Sequence, residues 1–201
     1  MAITVVRQKI VAECNWGVGH TADIHYAQIR PTPNARWKAH LTPITTDCSG
    51  SAEAIFYSAG APDPSGYGYN GEGNTSSIYA NAEHIPISLL QPGDMIICFM
   101  GTENAHMYIV LERLPNNDFK MFSHGAESDP KFENYSAVSN YWTRMVGCRT
   151  LPLVDKPSYD WTVLNGLNQI IGHTAHPVTF AVRHPTYFRK YNWVRFRKDV
   201  L

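Results

Sequence analysis

Apolar positions along the chain change period several times, and each change marks an element. Residues 4–16 carry Val5, Ile10, Val11 and Cys14 loosely on one side, as a helix would. In "TTDCSGSAEAIFYSAGAPDP", residues 45–64, Ala52, Ile55, Phe56 and Ala59 recur at helical spacing, so a helix with an apolar face is expected there. Asp47 is a good N-cap, Gly60 suits the left-handed position after a helix, and Pro62 bars continuation. The period then becomes that of strands. Met95 to Met100 is a continuous apolar run, which fits a strand covered on both faces. Residues 105–114 and 119–125 read as two further strands about the turn "PNND", and Cys148 lies in another, "TRMVGCRTL". Antiparallel strands following a helix predict an α+β domain.

Two long polar stretches interrupt this pattern. Residues 17–46 read as irregular and contain "RPTPNARWKAHLTPITT". Residues 61–84 are rich in Gly, Asn, Ser and Tyr, the composition of a binding rim, with Tyr67 and Tyr69 as candidate substrate contacts. A connector, "LPLVDKPS", suggests a division into residues 1–150 and a C-terminal extension, 151–201. Within the extension, Trp161, Leu164, Leu167, Ile170 and Ile171 fall on one helical face, so a packed helix is expected. In "HPTYFRKYNWVRFRKDVL" aromatic and basic residues interleave. One reading buries Tyr187, Phe188, Trp193 and Phe196 against the first domain. The other makes Arg189, Lys190, Arg195, Arg197 and Lys198 a positive patch for an anionic surface. So short a segment does not easily build its own core, so docking is the expectation.

The chain of 201 residues has formal net charge +0, which does not point to a nucleic-acid partner. Charge is uneven, however. Residues 151–201 hold seven Lys/Arg against three acids, net +4, leaving residues 1–150 at net −4. The N-terminal "MAITVVRQKIVAECNW" lacks the apolar core and cleavage site of a signal peptide, and no segment approaches the length of a membrane span. The expectation is synthesis in a cytoplasm and no membrane insertion. Cys14, Cys48, Cys98 and Cys148 are widely spaced, which argues against a zinc ribbon or a secreted disulfide scaffold and leaves free thiols as the default.

Cys48 is the candidate for chemistry. At a helix N-terminus the macrodipole and unpaired N–H groups favour an anion, so a thiolate is expected there. His106 and His124 stand on adjacent predicted strands. With a turn near Pro115-Asn116, Tyr108 falls near Phe122 and His106 near His124 on one face, with Cβ atoms about 5 Å apart. A slip of one residue would move one ring to the other face. In the first register His106 is a base that forms an ion pair with Cys48, and His124 orients it. The remaining histidines receive no role. A Cys/His/His zinc site lacks the usual close-spaced ligand pair.

The ordered motifs "DCSGSAEAIFYSAG", "LLQPGDMIICF", "AHMYIVLE" and "FSHGAES" resemble those of NlpC-type cell-wall cysteine peptidases over about residues 47–125. "GAPDPSGYGYNGEG" and "SHGAES" look more specifically like peptidase domains of endolysins from phages of actinobacteria. The resemblance implies a papain-like α+β fold with Cys48 as nucleophile, His106 as base and His124 as the third residue. It also implies an upstream tyrosine at the oxyanion, for which Tyr26 is the candidate. Met107-Tyr108 replaces the small residues that commonly follow the base in that family.

The implied activity is hydrolysis of a peptide bond in the stem peptides of bacterial peptidoglycan, without metal or organic cofactor. The implied setting is a host cytoplasm from which the protein reaches the wall after release, or else a virion. Two alternatives stay open. One is a catalytically idle wall-binding or phage tail structural protein on the same fold. The other is amidase or transpeptidase chemistry.

Overall fold

The computed structural model describes residues 3–126, 128–151, 161–165, 170–174 and 194–198. The chain divides into two compact units, Met1–Leu151 and Pro152–Leu201. The first opens with helix α1 (Ile3–Gly19), strand β1 (Ile24–Tyr26), helix α2 (Asn34–Lys38) and strand β2 (Ile44–Thr46). Helices α3 (Cys48–Ala59) and α4 (Thr75–Asn81) follow. Strands β3 (Glu83–Ile85), β4 (Met95–Met100), β5 (Glu103–Arg113), β6 (Phe119–Gly125) and β7 (Ser128–Asn134) come next. Helix α5 (Tyr135–Val138) and strand β8 (Arg144–Arg149) complete the unit. Strands β3, β8, β4, β5, β6 and β7 lie in that order in an antiparallel six-stranded sheet, and β1 pairs with β2 in parallel.

The apolar run of β4 lies between two cores. Met95, Ile97 and Phe99 join Ile10, Ile55 and Phe56 in the helix-side core. Ile96 and Cys98 join Leu90, Tyr108, Val110, Phe119 and Met121 on the other face. This alternation explains why no polar residue interrupts the strand. Each fully buried Ile or Phe contributes about 1.5–3 kcal/mol.

Helix α3 sits at the centre of the helix-side core, with Ala52, Ile55, Phe56 and Ala59 all at most 1% exposed. Its ends follow the sequence signals. The Asp47 side chain accepts from the Gly50 N–H at 2.6 Å, and Gly60 adopts φ 70°. A Cβ at Gly50 would collide with Thr46 Oγ1, so only glycine lets the first turn of α3 approach β2 this closely. Helix α1 is tied to the sheet by buried charges. Asp94 accepts from Arg7 at 3.0 Å and from Arg149 at 2.6 Å. Among the described residues no helix is long and apolar enough to cross a membrane.

Three expectations change. The stretch read as irregular contains β1, α2 and β2, and the polar stretch 61–84 contains α4 and the first two residues of β3. The hairpin register also differs. Ile109, not Tyr108, pairs with Phe122, and the ladder bulges between Val110 and Glu112. Its connection is centred on Asn116, with Leu114 N–H donating to Asp118 O at 2.9 Å and Asn116 and Asn117 at positive φ. That loop alone would set Phe122 opposite Val110, and the bulge takes back one step to give Ile109.

The third change is in the C-terminal unit. The expected helix around 161–171 is instead two strands, β9 (Trp161–Asn165) and β10 (Ile170–Thr174). With β11 (Val194–Lys198) they form an antiparallel sheet in the order β10-β9-β11. Thr162, Val163, Ile170 and Ile171 are β-branched, and Asn165-Gly166 is a hairpin signal, so local propensity outweighed the helical spacing. Tyr187, Phe188, Arg189, Lys190 and Trp193 lie outside the described residues.

Candidate active site

Cys48 is the first residue of α3 and is partly exposed on a cavity of about 630 Å³. Tyr26, Gln28, Arg30, Glu72, Asn74 and Thr75 contribute to the lining. The turn that presents the thiol is cross-braced. Arg30 Nη2 donates to Asp47 Oδ2 at 3.1 Å and to Ser49 Oγ at 2.9 Å, and Arg30 Nε donates to Gly73 O at 2.9 Å. Asn74 and Ser77 form a reciprocal cap at the start of α4, placing Thr75 Oγ1 3.9 Å from Cys48 Sγ.

Burial, with the neighbouring Asp47 charge adding to it, pushes the Cys48 thiol up to about 11. Hydrogen bonds from Thr75, from the Met107 N–H and from the Ser49 N–H pull the other way without compensating. These surroundings favour the neutral thiol, against the expectation of a ready thiolate. At this helix N-terminus desolvation and the capping carboxylate outweigh the macrodipole. The Met107 contact also locates the sulfur. It lies against the peptide that follows His106 on β5.

The two histidines part company. His106 hydrogen-bonds through Nε2 to Ser123 Oγ at 3.1 Å. Its ring meets Tyr108 edge-on and lies nearly parallel to Trp142, with centroids 5.8 Å apart. His124 hydrogen-bonds through Nδ1 to Ser51 Oγ at 2.8 Å, one turn beyond Cys48 on α3, and packs edge-on against Tyr26. Ser123 and His124 are consecutive on β6, where the pairing with β7 shifts register between Ser123 and Gly125. The two rings thus have different partners, Ser123 for His106 and Ser51 for His124, and the expected juxtaposition of His106 with His124 is corrected by the one-residue register difference. The hydroxyl of Ser123 makes the contact with His106 that the other register assigned to His124.

Tyr26, the oxyanion candidate, stands in the wall of the Cys48 cavity. Tyr67 is exposed and Tyr69 braces its own loop, donating to Ala61 O at 2.8 Å. Glu72 and Asn74 are the residues of that loop that line the cavity. Sequence reasoning missed Arg30, Ser51, Thr75 and Ser123. Of these, Ser51 sits one turn along from Cys48, and that spacing was the available clue. Among the described residues no three His, Cys, Asp or Glu side chains converge as a metal site.

No family model matches the sequence, and no curated protein matches it. Among solved structures, the chain is similar to a lipoprotein-like protein of the NLP/P60 family from Staphylococcus aureus subsp. aureus Mu50. That comparison has TM-score 0.48 and 21% identity and covers 73% of this chain. This chain spans 42% of that protein's length.

Proposed function

We propose that the chain is a papain-like cysteine peptidase of the NlpC type that hydrolyses a peptide bond in peptidoglycan stem peptides. The observation carrying this reading is the seat of Cys48. Its sulfur opens on a cavity, at a capped helix start, against the backbone next to an imidazole with one nitrogen anchored. The motif resemblance supplies the substrate class, and the endolysin assignment rests on the same motifs.

In this mechanism Ser123 fixes Nε2 of His106, so Nδ1 takes the thiol proton as sulfur attacks the carbonyl carbon. Because the surroundings of Cys48 favour the neutral thiol, proton transfer accompanies attack and replaces a pre-formed ion pair. The oxyanion meets the Cys48 N–H and the Tyr26 hydroxyl. His106 then protonates the departing amine, and water hydrolyses the thioester. His124 seats the nucleophile helix through Ser51.

Purified wall fragments incubated with the protein, with products weighed by mass spectrometry, test this reading. Cleavage of a stem-peptide bond, lost in Cys48→Ala by 10³-fold or more, is expected. The product masses also separate a peptidase from an amidase or transpeptidase. The raised Cys48 thiol favours a second reading, an idle wall-binding or tail-structural protein on this fold. Wall binding without any cleavage would select it.

A further inference from the structure

Glu72 stands in the wall of the Cys48 cavity on a loop, residues 61–73, strung between the Gly60 cap of α3 and the Asn74 cap of α4. The loop closes on a buried carboxyl. Glu53, on the second turn of α3, is 0% exposed, and Ser65 Oγ lies 2.7 Å from its Oε1. A Cβ at Gly73 would overlap that same oxygen, so only glycine lets the loop backbone rest on the carboxyl. The segment before α2 holds the loop from the other side. Arg30 Nε donates to Gly73 O at 2.9 Å, and the Thr32 N–H donates to Gly71 O at 2.9 Å. The nucleophile helix, the loop and the 30–32 segment thus meet around one side chain.

That side chain is poorly served as an anion. Among the described residues its Oε2 has no hydrogen-bond partner. Asp63 Oδ1, at 2.8 Å, competes for the Ser65 hydrogen, and the Thr32 hydroxyl, which also faces the carboxyl, donates to Gly71 O at 3.2 Å. Of the charged and titratable groups around Glu53, Asp63 and the Tyr69 hydroxyl come from the loop and Arg30 from the segment before α2. Arg30 is already engaged, its Nη2 donating to Asp47 Oδ2 at 3.1 Å. An ionised carboxyl in this seat gains by reaching water, which requires the loop to lift. We propose that Glu53 is the catch of an acid-held strap: protonated, it keeps loop 61–73 clasped on α3, and ionised, it releases the loop and opens the Cys48 cavity. The sign follows from linkage. Burial raises the carboxyl while the loop is closed, and with the loop lifted it returns to about 4.3. Closing is therefore fully favoured below about pH 4.3 and weakens by up to about tenfold per pH unit until the closed-state value is passed. The strap is independent of the reaction at Cys48.

Hydrogen exchange of the full-length protein, read by mass spectrometry from about pH 4.5 to about pH 8, needs neither substrate nor turnover. After division by the intrinsic amide rate at each pH, protection in peptides covering 63–73 should fall as pH rises, by up to about tenfold per pH unit, while β4 stays protected. Glu53→Gln should flatten this profile, and Cys48→Ala should leave it as it is. Labelling of Cys48 reports on the cavity itself. At each pH the ratio of labelling by a bulky pyrenyl maleimide to labelling by iodoacetamide cancels the ionisation of the thiol. That ratio should rise with pH in the unaltered protein and stay level in Glu53→Gln. The profile of the unaltered protein decides without any variant: protection of 63–73 that is indifferent to pH overturns the strap. A fall that Glu53→Gln reproduces, or a labelling ratio that stays level while the loop loses protection, overturns it too.

Discussion

The hydroxyl of Ser123 on β6 holds Nε2 of His106 on β5 at 3.1 Å. A hydrogen bond to a ring that becomes charged during reaction is worth about 1.5–3 kcal/mol. Ser123→Ala should therefore lower kcat by roughly 10- to 100-fold with little change in KM or melting temperature, and Ser123→Thr should recover part of the loss. His124→Asn should behave in the opposite sense. It weakens the bond to Ser51 in the helix-side core, so thermal stability should fall more than kcat. Steady-state kinetics beside thermal melts of both variants would decide. Equal loss of kcat in both, with neither destabilised, would contradict this division of roles.

Much of this site was legible in local sequence codes. Asp47 and Gly60 announced both ends of α3, because capping and left-handed backbone are decided within a few residues. The run from Met95 to Met100 announced a strand covered on both faces. What failed depended on relations between segments. The loop centred on Asn116 and the bulge in β5 together set Phe122 opposite Ile109 and not Tyr108, and that net step changed the partners of the two histidines. Arg30 is distant in sequence from Asp47 and meets it only after the 24–46 segment folds back through β1 and β2. Strand β9 was misread because an apolar spacing that fits a helix also fits a hairpin when Asn-Gly lies in its middle.

The ionisation of Cys48 is open to direct measurement. Its thiol is held up to about 11, so the reactive fraction at pH 7 is about 10⁻⁴. Iodoacetamide labelling of Cys48, read by peptide mass, should be slow at neutral pH and should still be rising above pH 9. In denaturant it should level off as for a free thiol of pKa about 8.5. Cys14, Cys98 and Cys148 are buried and should stay unlabelled in the native protein. Fast labelling at pH 6–7, abolished by His106→Ala, would instead establish a resting thiolate–imidazolium pair.

One hydroxyl is shared by two carboxylates, Glu53 and Asp63. Ser65 Oγ lies 2.7 Å from Glu53 Oε1 and 2.8 Å from Asp63 Oδ1, yet it has one hydrogen to give. Asp63 also accepts from the backbone N–H groups of Ser65 and Tyr69, which suits an ionised carboxylate. Glu53 and Asp63 therefore compete for one donor, and Glu53 is the more weakly served of the two carboxylates. Burial raises the Glu53 carboxyl and the Asp63 charge adds to this, against Ser65, Arg30 and Thr32. A folded pKa above the unfolded one gives stability that is complete below about pH 4.3 and lost as pH rises through the folded value. Glu53→Gln removes the titration and keeps a donor for Ser65. Its melting temperature should match the unaltered protein near pH 4 and exceed it near pH 8, by about 2–4 °C per kcal/mol of linkage. A variant less stable at both pH values would contradict a raised Glu53 carboxyl.

Residues 152–201 are net positive where the rest of the chain is net negative, and their removal separates anchoring from folding. The described site lies within the unit Met1–Leu151, so a cut should follow Leu151. Leu151 is buried and its carbonyl accepts from Arg7 Nη2 at 3.4 Å, so a shorter form would also disturb the Arg7, Asp94 and Arg149 cluster. The 1–151 protein should fold and cleave soluble wall fragments at the full-length rate. Binding to whole walls should weaken, and the part that is lost should be the part that salt suppresses, since exposed charges are screened beyond about 10 Å at 0.1 M. Melting curves, cleavage of soluble fragments and wall pull-down across a salt series give three separate readouts. An insoluble or markedly less stable 1–151 protein would instead make the extension a packed part of the fold. Unchanged wall binding at every salt concentration would remove the positive patch as an anchor.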